Sequence, residues 1–350
     1  ADVAQQRPLA ADSIFRIYSM TKPVTSVALM QLVEEGRLQI DDPVERYIPS
    51  WSGLRVHTGG SLESGWQTSA AARPMLVIDL LRHTSGLTYG FQNNSNVDAA
   101  YRTLGIGAIE PTGLTLPHMI ELLAELPLEF SPGEAWNYSV ATDVLGWLIQ
   151  LVADEPLEEY LARRIFRPLG MEDTGFKVRE SQHHRFTTCY RPKAGGGIEV
   201  QDQAEHSPFL QQPKLVSGGG GLVSTARDYL SFCEALRTGR PTLVGRKTLA
   251  LMTANHLPGG HDLHQLSRAA FSEAAYAGIG FGLGFATTTD IHQTMLAGNN
   301  GDYFWGGAAS TAFWIDPVEE LTILFLTQLV PSSSWPLRRQ LRSMVYAAVE

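Results

Sequence analysis

The sequence predicts an α+β fold: an antiparallel sheet flanked by helices, accompanied by a mostly helical domain. Three observations predict it. Strand-like segments at 280–287, 309–315 and 321–329 cluster near the C-terminus, and Asp316-Pro317 with Glu319-Glu320 turns the last two into an antiparallel hairpin. Helix-period apolar patterns fill the middle of the chain. An isolated, strongly apolar helix follows Tyr18-Ser19-Met20-Thr21-Lys22-Pro23, where Val24, Val27, Ala28, Met30, Leu32 and Val33 recur at helical spacing and Gly36 is a natural stop.

In chain order, a turn and a short extended piece at 15–18 lead into that helix, and 38–43 is its exit. Segment 51–73 is rich in Gly, Ser and Thr and reads as a surface loop. A short helix at 75–82 is closed by His83-Thr84-Ser85-Gly86. Segment 93–115 again reads as loop. An amphipathic helix at 116–126 ends at Pro127, and Ser131-Pro132-Gly133-Glu134 is a turn. Trp136-Asn137-Tyr138-Ser139 then precedes an apolar helix carrying Val140, Val144, Leu145, Leu148, Ile149 and Val152. Another helix spans 157–166 and breaks at Pro168-Leu169-Gly170. Segment 177–216 is polar and loop-rich, 217–221 is a glycine run, and helices follow at about 226–236 and 336–349. The expected division is an α/β domain from 1–55 and 268–350, its N-terminal part lacking, and a helical domain from 56–267. The start at Ala1 reads like the end of a strand whose upstream segment is absent.

Composition excludes several classes. Of 350 residues 44% are hydrophobic, enough for a large core, and the net charge of −9 argues against a nucleic-acid partner. No apolar run reaches membrane-spanning length. Cys189 and Cys233 are too few for a disulfide framework and read as free buried thiols, which points to a reducing, cytoplasmic compartment.

The chemistry starts at Ser19. Residues three apart share a helix face, so the Ser19 hydroxyl can meet the Lys22 amine, beside amides and a dipole end that favour negative charge. Among five lysines only Lys22 has a serine three residues earlier. The amine works as a base only when neutral or when it shares its proton. Burial lowers its pKa, and a neighbouring phenol can couple to it; Tyr138, between a Pro-Gly turn and a helix start, is the candidate. Trp305-Gly306-Gly307-Ala308 supplies the third element: two glycines allow a close backbone approach, and the Ala308 amide can join that of Ser19 in an oxyanion hole.

In that order the three segments resemble the S-x-x-K, Y-x-N and K-T-G boxes of the serine β-lactamase and penicillin-binding-protein superfamily. With Trp305-Gly306-Gly307 in the third place, the chain looks like the family VIII carboxylesterases, which share the class C β-lactamase fold. The likeness spans nearly the whole chain and implies a serine hydrolase for carboxylic esters of short to medium acyl length. Ser19 would be the acylated nucleophile, Lys22 and Tyr138 the base pair, and the amides of Ser19 and Ala308 the oxyanion hole. Trp305, Gly306, Gly307 and Val140 would line the substrate pocket. Members of that family begin with a helix and strands ahead of the serine helix.

Two departures carry information. Val140 stands where the family's second box has Asn, and Trp305 where the third has Lys. Losing a carboxamide and a cation weakens an anionic amide-bearing substrate by about 1–3 kcal/mol per contact. A neutral ester loses nothing, so small-molecule esters are the expected substrates, with weak β-lactam hydrolysis alongside. A class C-like β-lactamase, a D-alanyl peptidase or an acyltransferase is the enzyme alternative; a sensor or scaffold that acylates without turnover is the non-enzyme alternative. No metal or organic cofactor is needed.

Other candidates are weaker. The chain has no G-x-S-x-G elbow and no H-E-x-x-H pair. His83 reads as a capping or packing residue. His183-His184 lacks a third ligand nearby. No lysine follows 218–221 in phosphate-loop position, so that run reads as a turn beside the cleft. Asp143 reads either as a buried hydrogen-bond anchor or as an exposed charge.

Overall fold

A computed structural model describes residues 1–268 and 276–350; the stretch 269–275, inside the expected α/β domain, lies outside the described residues. The fold is α+β, built around the serine helix. Thr21–Glu34 is helical, with Pro23 in the first turn, where its missing amide costs no hydrogen bond. From Thr21 through Leu32 every side chain is buried, so this helix has no solvent face. Two of its polar side chains bond to neighbouring backbone: Thr25 Oγ1 donates to Gly218 O at 2.8 Å and Gln31 Nε2 to Leu243 O at 2.9 Å. It packs against the helix Ala141–Ala153. Ser19 and Tyr138 each lie two or three residues ahead of one of these helices, so this packing sets them side by side.

The five-stranded antiparallel sheet runs in the order Leu321–Phe325, Ala312–Asp316, Tyr303–Gly306, Ala286–Thr288, Ile279–Phe281. Two expectations change here. Segment 280–287 is two strands folded back on each other, with Gly284 at φ +93° and Gly282 N bonded to Phe285 O at 2.8 Å. A Cβ on Gly284 would lie 2.3 Å from the Ser26 side chain, so the glycine lets this turn rest on the serine helix. Trp305 and Gly306 do not merely precede a strand at 309–315. They end their own strand, with Trp305 opposite Phe313 and Gly306 opposite Ala312, and 307–311 is the connection.

Three segments read as loops contain regular structure. Within 51–73, Arg55–Ser61 pairs with Gly65–Ala70, and within 177–216, Cys189–Pro192 pairs with Ile198–Asp202. Across both hairpins all but one of the strand residues are exposed or half-buried, so no apolar alternation marks them. Within 93–115, Asn96–Leu104 is a helix. Ser95 caps it by accepting from the Asp98 amide, Asp98 reciprocates, and Gly105 closes it at φ +71°. The 157–166 helix is α-helical only over Leu157–Leu161 and π-helical over Ala162–Phe166. The last helix spans Leu337–Tyr346.

One apolar core runs from sheet residues such as Phe281, Phe285 and Phe313 to helix residues such as Val24, Val144 and Leu145. Among the described residues no helix is long and apolar enough to cross a membrane. Cys189 and Cys233 are free and buried.

Candidate active site

Ser19 lies in a tight 3-10 turn, Tyr18–Met20, that feeds the central helix. Tyr18 takes φ +42°, a conformation that bulky residues seldom adopt, and it is held there by burial and by the edge-on ring of Phe209. The kink leaves Tyr18 and Met20 buried and Ser19 partly exposed.

Lys22 is buried beneath it. Its Nζ donates to Gly219 O at 2.6 Å and to the Tyr89 hydroxyl at 3.0 Å, and lies 3.4 Å from Ser19 Oγ. Burial pushes the amine down to about 7, against the opposing pull of the Asp143 carboxylate. A neutral amine has two N–H groups and one lone pair. With Gly219 O and Tyr89 taking the two N–H groups, the lone pair faces the Ser19 hydroxyl.

Asp143 is the buried anchor. It accepts from the Ser217 hydroxyl at 2.5 Å and the Gly219 amide at 3.1 Å, which fixes the carbonyl that holds Lys22. Burial raises its own carboxyl pKa, with Lys22 opposing. The glycine run is thus a turn packed against Asp143 and Lys22: a Cβ on Gly219 would come 2.6 Å from Asp143 Oδ2.

Tyr138 is buried, with its phenol hydrogen-bonded to the Ser19 hydroxyl and approached by Trp305 Nε1 at 3.4 Å. Burial pushes the phenol far above its ordinary value, so it stays protonated and acts as a donor. The sequence predicts that Lys22 and Tyr138 couple through a shared proton. Instead the Lys22 amine stands over the Tyr138 ring, 4.6 Å from its centroid, and the phenol it hydrogen-bonds is that of Tyr89. Ser19 is the link between them.

The rings of His83, Tyr89, Trp136 and Trp305 surround Tyr138 at centroid distances of 4.9, 5.3, 6.1 and 5.5 Å. His83 packs there with Nδ1 bonded to Ser139 Oγ at 3.2 Å, and burial holds its imidazole neutral. Gln92 Nε2 donates to the Tyr138 carbonyl at 2.5 Å and fixes that backbone from the other side.

The end of the Tyr303–Gly306 strand closes the site. A Cβ on Gly307 would lie 2.3 Å from both Ile17 O and Thr311 Oγ1, so only glycine lets this backbone touch the start of the serine turn. Ala308, the next residue, is partly exposed, and its N–H meets no acceptor among the described residues. Trp305 is nearly buried between Tyr138 and Phe281. Val140 does not line the open pocket. It is fully buried and heads the Ala141–Ala153 helix, and a Cβ on Gly107 would come 2.6 Å from its Cγ1. The loop crossing over it removes the surface that the sequence alone suggested.

Ser19, Lys22, Tyr138, Trp305, Gly307 and Ala308 therefore converge. Sequence reasoning missed Tyr89, which has no motif of its own: it is one aromatic in a loop, a few residues past His83-Thr84-Ser85-Gly86.

Comparison with known proteins gives the family and the fold. A family model described as Beta-lactamase matches residues 1–345. The chain is 36% identical over 347 residues to Protein Rv1367c of Mycobacterium tuberculosis, covering 95% of this chain and 82% of the relative. It is 31% identical over 364 residues to Esterase EstB of Burkholderia gladioli, covering 99% and 86%. Among solved structures it resembles EstCE1, described as a hydrolase with promiscuous acyltransferase activity, with a TM-score of 0.80, 28% identity and coverage of 99% and 88%. The simvastatin synthase LovD of Aspergillus terreus matches with a TM-score of 0.82 at 24% identity, over 99% and 87%, a likeness of fold.

Proposed function

The chain belongs to the beta-lactamase family as a serine hydrolase of carboxylesterase type, and from that premise we propose that Ser19 is the residue acylated by its ester substrates. The observation that carries this reading is the placing of the Ser19 hydroxyl between the Lys22 amine, at 3.4 Å, and the Tyr138 phenol. In acylation, neutral Lys22 takes the Ser19 proton as Oγ attacks the ester carbonyl carbon. The oxyanion forms against the amides of Ser19 and Ala308. As the tetrahedral intermediate collapses, the bond from the carbonyl carbon to the leaving group breaks and the departing alkoxide takes the proton that Lys22 gained, which returns Lys22 to its neutral form. Water enters by the same route in reverse and releases the acid.

Trp305 gives the pocket an apolar wall where a cation would serve an anionic substrate. Buried Val140 offers the substrate no polar group. Both features favour neutral esters of short to medium acyl length over β-lactams. The two free cysteines support a reducing, cytoplasmic setting, and the net charge of −9 argues against nucleic acid as a partner.

The test is hydrolysis of graded p-nitrophenyl esters and of a cephalosporin by the native protein and by Ser19→Ala, with mass spectrometry after treatment with a fluorophosphonate. Ester turnover that vanishes in Ser19→Ala, and an adduct on Ser19, are expected. Equal ester turnover by both proteins would overturn the reading.

A further inference from the structure

Arg338 lies in the first turn of the Leu337–Tyr346 helix, which has no acidic residue in that turn. A cation there opposes the helix dipole, so its position needs another explanation. Its guanidinium lies against the strand end that carries the oxyanion hole. Nη2 donates to Gly307 O at 2.9 Å and to Thr311 O at 3.1 Å, the two ends of the 307–311 connection. A Cβ on Gly306 would come 2.6 Å from Nη2 and 2.7 Å from Cζ, so Gly306 is what admits the guanidinium.

Gly307 C=O and Ala308 N–H are the two ends of one peptide group. A charge-assisted hydrogen bond to the oxygen draws electron density toward it and makes the N–H at the other end more acidic and a stronger donor. Building on the Ser19 reading above, we propose that Arg338 is a positioning residue of the esterase reaction: its cation polarises the Gly307–Ala308 peptide and holds it so that the Ala308 N–H binds the developing oxyanion more strongly than a neutral peptide would. The same charge reaches the Tyr138 phenol, which it helps to pull back toward ionisation. The pair of glycines then has a divided task. Gly306 admits the cation, and Gly307 admits the serine turn.

Three variants separate polarisation from mere bracing. Arg338→Lys keeps a cationic donor, Arg338→Gln keeps a neutral one, and Arg338→Met removes both. Each is assayed on p-nitrophenyl esters, with the rate divided by the concentration of active sites from burst titration. A residue that only braces the loop would change the number of titratable sites and leave the rate per site alone. The expected result is a per-site kcat/KM for Arg338→Met lower by about tenfold to a hundredfold, the scale of weakening an oxyanion donor. Arg338→Gln should fall nearly as far, and Arg338→Lys should keep most of the rate. Affinity for an alkylboronic acid, which forms a tetrahedral adduct, should fall in parallel, and KM should change little. Equal per-site rates for Arg338→Lys, Arg338→Gln and the native protein would overturn the proposal even if Arg338→Met fails to fold. A fluorophosphonate adduct on Ser19 of the native protein keeps the two readings apart. If the adduct forms and the variants are unaffected, only the role of Arg338 falls. If no adduct forms, the Ser19 reading falls first.

Discussion

The Lys22 amine lies closer to the Tyr89 hydroxyl, at 3.0 Å, than to the Ser19 hydroxyl it would deprotonate, at 3.4 Å. The two phenols of the site thereby take different tasks. Tyr89 holds the base, and Tyr138 holds the nucleophile.

Replacing Tyr89 by Phe removes one hydrogen bond to Lys22 while leaving the ring stacked on Phe91 at 4.8 Å. A single hydrogen bond of this kind is worth about 1 kcal/mol, which corresponds to roughly fivefold in kcat/KM. Tyr138→Phe should cost far more, because it removes the donor nearest the reacting oxygen. Steady-state kinetics on one p-nitrophenyl ester compares the two, and a Tyr89→Phe loss equal to that of Tyr138→Phe would contradict this division of roles.

The lowered pKa of Lys22 sets the pH dependence. The base must be neutral, so kcat/KM for a neutral ester should rise with pH and level off as pH passes about 7, falling about tenfold per unit on the acid side. Asp143 raises the pKa of Lys22, so Asp143→Asn should move that acid limb to lower pH. The Asn oxygen can still accept from Ser217 and Gly219, which keeps the geometry while removing the charge. Rates measured from about pH 5 to about pH 9 check the sign; a limb that moves upward in Asp143→Asn would contradict it.

What the sequence revealed and what it hid follow one line. The Thr21–Glu34 and Ala141–Ala153 helices are dense in apolar residues, and the boxes at Ser19, Tyr138 and Trp305 lie at their ends or at the end of a strand, so both elements and chemistry could be read locally. Ser95, Asp98 and Gly105 also spelled out a capped helix, a local signal overlooked because its surroundings are polar. Tyr89, Gly219 and Arg338 were hidden for a different reason. Each acts through a partner 27 or more positions away, and nothing in their own neighbourhoods encodes that meeting. Val140 was misplaced for the same reason: what covers it is the loop at Gly107, distant in sequence.

Gly307→Ala tests the backbone approach. Its Cβ would collide with Ile17 O, a backbone atom of the serine turn, and with Thr311 Oγ1. Relief requires the strand end to move away from Ser19, which separates the two amides of the oxyanion hole. Loss of one oxyanion donor costs about a hundredfold or more in kcat. The contact lies just past the last paired residue of the sheet's central strand, so circular dichroism should change little. A Gly307→Ala protein with native turnover would show that this close approach is not needed for the reaction.

Trp305 carries both packing and chemistry, and two substitutions separate them. Its ring meets Phe281 edge-on at 5.3 Å and tilts over Tyr138 at 5.5 Å, while its Nε1 reaches the Tyr138 hydroxyl at 3.4 Å. Trp305→Phe keeps most of the ring and loses the N–H, so its stability cost should stay under about 1.5 kcal/mol, with the loss concentrated in kcat. Trp305→Ala empties a buried site between two aromatic rings and should cost about 3–5 kcal/mol of stability. It also removes the apolar wall, so KM for aryl esters should rise where Trp305→Phe leaves it nearly unchanged. Thermal unfolding and the split between kcat and KM measure the two effects. A Trp305→Ala protein as stable as the native one, with unaltered KM, would mean that this side chain neither fills the site nor touches the ester.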